Sequence, residues 1–393
     1  MSKIKRRNFL KALISGGWLV VMGNLFSKKA FGISSPRLRP NRKESGWYFW
    51  GSNTYGQFGN GANSASSSSP VKVFAVNDWE SMAGGLDHTI LRKSNGQIWS
   101  MGRNNWGQLG IGNLTGRSSP VQIGSSTAWT SLTGSFGPFN GAIQGSSMYD
   151  WGQNPEGNIG NGTSGNNIST PILITSSGSF CSLGDYHGLG VMADGSLWGW
   201  GSSSSGQVGS GTTTSQSWPN SVMAGSTFLK IAAAHGNSYA VRSDGTLWSW
   251  GANADGQLGN GVANATKVST PIKIGTLTTW VDVKAAGSTV FAKKNDGTYW
   301  CWGYNNEGEL GLGDTTGRSS PVQFPGTTWV QILPSYGFVL GLKSDNTLYS
   351  WGAGVGGVLG TGTTANASTP VQIPGKWQKI FVTQTHAGGQ RIS

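Results

Sequence analysis

Three groups of residues in this sequence have types and spacings that could do chemistry. The first is glycine-rich: WGANADGQLGNG, residues 250–261, places Gly251, Gly256, Gly259 and Gly261 in one short stretch. Loops of this kind cradle phosphates through backbone N–H groups. The second is histidine: His88, His187, His235 and His386. Imidazoles serve as metal ligands and general bases. The third is the pair Cys181 and Cys301, which could form a disulfide or act singly as nucleophiles.

Position along the chain removes most of this chemistry. The glycine stretch recurs as WGSNTYGQFGNG from Trp50, MGRNNWGQLGIG from Met101, WGQNPEGNIGNG from Trp151, WGSSSSGQVGSG from Trp200, WGYNNEGELGLG from Trp302 and WGAGVGGVLGTG from Trp351. Successive starts lie 49 to 52 residues apart. A nucleotide site occurs once in a domain, whereas a motif repeated at a constant step marks a repeat architecture. The glycines keep register between copies, as expected where a backbone needs positive φ or close approach. His88 and His386 each lie nine residues after a tryptophan, Trp79 and Trp377, while His235 sits two positions earlier in its unit. Each histidine falls in a different unit, so no metal cluster is expected. The two cysteines fall in separate units at different strand positions, so neither a disulfide nor a redox motif is expected. Asp194, Asp244 and Asp296 read as turn residues. No catalytic residue, cofactor site or metal site is assigned, and no enzymatic activity is expected. A loop-borne site is the enzymatic alternative.

The elements follow from residues 268–303. VSTPIKI reads as a short strand beginning at Pro271, a position where a lost N–H is tolerated. WVDVKAA and TVFAKK alternate, and TYWCWG ends the unit. Asp296-Gly297 reads as a two-residue hairpin turn with positive φ at both positions; Asp194-Gly195, Asp244-Gly245 and Asn95-Gly96 take the same place. Four short strands per unit of about 50 residues describe a propeller blade.

Composition agrees with a single large all-β domain. Glycine is 64 of 393 residues, and charged residues are only 11% against roughly 25% in ordinary soluble domains. Nineteen tryptophans exclude a disordered chain. The net charge of +12 suggests nucleic acid until it is located: seven basic residues and no acid lie in 1–32, and four more lie in 33–46. The remainder is nearly neutral and has no basic stripe, so nucleic-acid binding is not expected.

Residues 1–32 have the layout of a signal peptide: a basic start, an apolar stretch from Ala12 to Phe26, then small residues. Gly16, Gly17, Gly23 and Asn24 interrupt that stretch, which is short of the ~20 apolar residues of a permanent span. Arg6, Arg7, Phe9, Leu10 and Lys11, within RRNFLK, resemble the twin-arginine translocation motif, with Lys5 departing from the usual Ser or Thr. The resemblance implies a bacterial protein exported folded, to the periplasm or the medium. Cleavage after Ala30 or Gly32 is expected and would leave no membrane span; an uncleaved anchor is the alternative. Residues 33–46, with two prolines and no periodicity, read as a linker.

The repeats themselves resemble the regulator of chromosome condensation repeat family, whose pattern matches DGTLWSWGANADGQLGNG and the STP at Ser269 to Pro271. The resemblance covers residues 47–393 and implies a seven-bladed β-propeller. It also implies a structural role between strands for His88, His187 and His386. The repeat containing SFGPFNGAIQGSSMYDWG lacks the Asp-Gly turn and is expected to carry a modified edge. The chain opens on GWYFWG, a last strand without its predecessors, and closes on WQKIFVTQTHAGGQRIS, which stops before its last strand. Pairing the two ends would complete one blade and close the ring.

Members of the family bind proteins: some exchange nucleotide on the Ran GTPase and bind chromatin, and a secreted bacterial relative inhibits beta-lactamases. An export signal argues against the exchange role. The expectation is an exported, non-catalytic protein-binding propeller; a carbohydrate or cell-wall binder is the alternative, and fold alone does not choose. The residue before the second motif glycine reads Tyr55, Trp106, Glu156, Ser205, Asp255, Glu307 and Gly356 around the ring. Tyr55 and Trp106 are the candidate partner-binding residues, with local packing as the competing role.

Overall fold

The computed structural model describes residues 45–75, 78–264 and 266–392. The export motif at Arg6, Arg7, Phe9, Leu10 and Lys11, and the linker as far as residue 44, lie outside the described residues. The described chain forms seven four-stranded antiparallel sheets.

One blade shows how the sequence builds all of them. Its strands are Trp280–Ala286, Thr289–Lys294, Tyr299–Gly303 and Arg318–Gln323, paired in chain order. The third strand reads YWCWG and is buried on nearly every residue, because both faces of a blade pack against neighbours. Its Trp302 lies in one core with Val283 and Val290 of its own blade and Tyr239, Val241 and Leu247 of the blade before. The core is thus a series of layers between blades. The fourth strands are the most exposed, and each holds the proline of the S-x-P motif or its equivalent, as at Pro271. An outer edge strand can lose an N–H there without leaving a carbonyl unpaired.

Two sequence expectations are corrected. Val268–Lys273 begins before Pro271 and pairs with Leu247–Gly251, so the S-x-P strand ends the preceding blade instead of opening the next. The chain simply folds back, antiparallel, on the strand it has just left. The Asp-Gly turn is also different. Gly297 N–H bonds the Lys294 carbonyl at 3.0 Å while Lys294 N–H bonds Thr298, giving a three-residue loop in which Gly297 has φ +86° and Asp296 does not turn positive. A type I turn followed by a left-handed glycine gives this pattern. Asp296 instead caps the loop, accepting from Thr298 N–H at 2.9 Å.

The repeat expected to have a modified edge keeps four strands, but its outer pairing is less regular than in most blades, with register shifts between Ile168 and Ile172 and between Leu173 and Thr175. Trp129–Gly134, Phe139–Gln144, Ser147–Gly152 and Ile168–Thr175 make a complete sheet. Here a true two-residue turn, Gly145-Ser146, joins the paired Gln144 and Ser147, with φ +62° at the glycine.

The ring closes as the ends of the sequence suggest. Ser64–Phe74, Gly46–Asn53, His386–Arg391 and Trp377–Val382 form one sheet in that order, with Trp47 opposite Gln390 and Tyr48 opposite Gly389. First strands abut from blade to blade around the whole circuit, Trp377–Val382 meeting Trp79–Gly85. They therefore line the centre, and fourth strands form the rim. Because strands alternate in direction, the loops after first and third strands open on one common face.

Candidate functional site

On that face the motif loops are held by their own side chains. In residues 253–262, Asn253 Oδ1 accepts from Leu258 N–H at 3.1 Å and its amide donates to the Val262 carbonyl at 3.1 Å. Gln257 Oε1 accepts from Asp255 N–H at 2.8 Å. The same Gln contact recurs as Gln57 to Tyr55 N–H, Gln108 to Trp106 N–H and Gln207 to Ser205 N–H. The backbone of the residue before the second glycine is thereby fixed. Glycine at 259 is required twice over: φ is +67°, and a Cβ would lie 2.8 Å from Trp302 Nε1 of the next blade.

Tyr55 and Trp106 occupy this position on neighbouring blades, and one cation joins them. The Arg103 guanidinium carbon lies 4.9 Å from the Tyr55 ring centre and 4.4 Å from that of Trp106. Arg103 Nη1 is 3.6 Å from Asp87 Oδ2, and Asp87 Oδ1 accepts from Thr385 Oγ1 at 3.1 Å. Tyr55 is exposed and Trp106 half-buried. The result is a rigid aromatic and cationic patch on one side of the face. Planar side chains stacked on a guanidinium lose few rotamers on binding, which suits them to interface anchors.

A cavity of about 320 Å³ opens on the same face, between later blades, lined by His235, Asp255, Ser288, Tyr304, Glu307, Glu309 and Tyr336 among others. His235 Nδ1 lies 2.6 Å from Asp185 Oδ2, and this hydrogen bond raises the imidazole above its ordinary range. The Tyr336 ring meets His235 edge-on, with centroids 5.8 Å apart. Glu309 is 1% exposed, and burial raises its carboxyl. Sequence reading passed over this residue; the available signal was GELG at 308–311 where four other copies carry GQ.

The remaining histidines are spent on structure, between strands as expected, and their Nε2 contacts cross from blade to blade. His386 Nε2 meets Thr89 Oγ1 of the adjoining blade at 2.7 Å, His88 Nε2 meets Asn140 and His187 Nε2 meets Ser238 Oγ at 2.8 Å. Burial lowers all three, His187 and His386 to about 3. Cys301 Sγ points at the Leu310 carbonyl, where Ser249 and Ser350 place hydroxyls on Leu258 and Leu359. Asp150 takes the corresponding place in its blade, wholly buried, and that burial pushes its carboxyl well above the usual range.

Comparison with known proteins fits this geometry. The chain matches the Regulator of chromosome condensation (RCC1) repeat over residues 47–91, 95–133, 194–241, 244–292, 296–338 and 345–391. It is 32% identical over 117 residues to the X-linked retinitis pigmentosa GTPase regulator of Canis lupus familiaris, and likewise to that of Homo sapiens. Those alignments cover 29% of this chain and 12% of each relative, so only a small part of their length is represented. The structure superposes on human WBSCR16 with a TM-score of 0.76 at 18% identity, covering 89% of this chain and 99% of that one. It superposes on Prp20p of Saccharomyces cerevisiae, described with binding properties to Gsp1p and histones, with a TM-score of 0.75 at 19% identity, over 89% and 92% of the two chains. At that identity the structural likeness concerns the fold. With seven four-stranded blades and repeats matched along most of its length, the chain belongs to the regulator of chromosome condensation (RCC1) repeat family.

Proposed function

We propose that this chain is an exported propeller that binds a protein partner through the face carrying Tyr55 and Trp106, and that it catalyses no reaction. The observation that carries this reading is the Tyr55–Arg103–Trp106 stack: two aromatic rings on neighbouring blades held by one guanidinium on an accessible face. Evolutionarily unrelated binding surfaces concentrate Tyr, Trp and Arg in this way because each offers large contact area with limited rotamer loss. Prp20p, a structural relative, is described as binding proteins, which supports the same class of activity. The twin-arginine-like Arg6 and Arg7 support export, to the periplasm or the medium.

The test is a pull-down with the mature propeller against periplasmic and culture-fluid proteins, read by mass spectrometry, beside a screen of purified cell-wall glycans. A partner captured by the native propeller and lost from a Tyr55→Ala, Trp106→Ala variant supports the proposal. Binding to glycan with no protein partner overturns it in favour of a carbohydrate-binding role.

A further inference from the structure

The motif position held by Glu309 differs in chemistry from its counterparts around the ring. In four other blades the motif position is glutamine, and in two of these both ends of the amide are used, while Gln108 Nε2 is buried without a partner among the described residues. Gln257 Oε1 accepts from Asp255 N–H while its Nε2 donates to Ser288 Oγ at 3.2 Å; Gln57 Nε2 likewise donates to Ser52 Oγ at 3.1 Å. Glu309 keeps the first contact, Oε2 accepting from Glu307 N–H at 2.9 Å. Its second oxygen, Oε1, is an acceptor where glutamine has a donor, and it is buried with no hydrogen-bond partner among the described residues. An unpartnered buried carboxylate oxygen is costly, and one on a residue that lines an open cavity can be met by a donor from outside the chain.

The surroundings define that partner. Glu309 shares the cavity with the carboxylates of Asp255 and Glu307 and with Tyr304 and Tyr336, and among the described residues none that lines it is lysine or arginine. His235 is the one lining group that can carry positive charge, and it is already paired with Asp185 at 2.6 Å. Glu307 Oε2 is bonded by the Asn366 amide, while Glu309 Oε1 is buried with no partner among the described residues. Carboxylates flanked by aromatic walls are the chemistry that recognises an organic cation, through charge-assisted hydrogen bonds and ring faces.

We propose that this cavity binds an alkylammonium or guanidinium group, with Glu309 as its hydrogen-bond acceptor. A lysine or arginine side chain of a protein partner would supply that group, and this source rests on the reading of the face as a protein-binding surface. The cavity and the Tyr55–Arg103–Trp106 patch would then engage one partner at two places on the same face.

The full-length protein and its Glu309→Gln variant are titrated calorimetrically with Nα-acetyl-lysine amide, Nα-acetyl-arginine amide and the uncharged Nα-acetyl-norleucine amide. Glutamine is native at the same position in four other blades, so the variant is expected to fold, and its melting transition is recorded to confirm this. The expected result is binding of the cationic amides, none of norleucine amide, and a loss of roughly tenfold to a hundredfold in the variant, as when a hydrogen bond to a charged group is removed. Equal binding of norleucine amide, or unchanged affinity in a folded Glu309→Gln protein, overturns the site. Cadaverine and the peptide Gly-Gly-Lys-Gly-Gly separate the two sources. Binding of the peptide supports a partner side chain, and binding of the free diamine alone assigns the site to small amines and removes the link to a partner. A partner that binds Glu309→Gln as tightly as the native chain leaves the protein-binding reading standing and sinks this one.

Discussion

Trp50 donates its indole N–H to the backbone carbonyl of Val358, 2.9 Å away and 308 residues later in the chain. The bond belongs to a series. Trp151 reaches the Gln108 carbonyl, Trp200 Asn158, Trp250 Gln207, Trp302 Gln257 and Trp351 Glu309. Each motif tryptophan thus pins its blade to the motif loop of the blade before, and Trp50 closes the circuit. Met101 stands where the seventh tryptophan would be, so that junction packs without the bond.

These pins give the first prediction. Trp250 is fully buried, in a core shared with Phe228, Ile231, Leu189 and Leu197. Trp250→Ala should cost roughly 3–5 kcal/mol of stability in equilibrium denaturation, the range of large core truncations. A loss below about 1 kcal/mol would place the residue with surface positions and remove it from the core.

Acid should loosen the same junctions. His187 and His386 are held down to about 3 by burial, below the ordinary 6.5. Between those values the unfolded chain takes up protons that the folded chain refuses, so stability falls as pH drops below about 6.5. Asp150 and Glu309, whose carboxyls burial raises, act with the opposite sign. The comparison that isolates the histidine is therefore His187→Gln against the native chain. Denaturation from pH 7 to pH 5 should show the variant losing up to roughly 1.4 kcal/mol per pH unit less than the native protein below pH 6. Identical pH slopes for the two proteins would count against a neutral, buried His187.

The binding face makes its own prediction. Tyr55→Ala or Trp106→Ala should weaken a captured partner by about 2 kcal/mol or more, the hot-spot threshold. The melting transition should barely move, since each ring's contact with Arg103 is worth only about 0.5–1 kcal/mol at an exposed site. Loss of fold without a specific binding defect would show that the rings serve only their own loops.

Export is tested upstream. Replacing Arg6 and Arg7 together with lysine should hold the precursor in the cytoplasm, as judged by fractionation and immunoblot. Export of the double variant at the native level, or export through the general secretion channel, would exclude a twin-arginine route.

The sequence by itself determined the number of blades, the closing of the ring from its two ends and the register of the glycines. It could do so because these depend on short patterns repeated at a fixed step, and each copy corroborates the others. It also placed Tyr55 and Trp106 at one position one repeat apart. What only the tertiary structure decided is whatever depends on a neighbouring blade. The Asp-Gly turns were misread because hairpin length is set by which residues pair, here Lys294 with Thr298, and not by the dipeptide. His386 finds Thr89 across 297 residues, and Arg103 joins Trp106 of its own loop to Tyr55 of the neighbouring blade. Glu309 differs from glutamine by one atom in the text of the chain. Its consequence, a buried acceptor without a donor among the described residues, exists only once the walls of the cavity from five stretches of chain have closed around it.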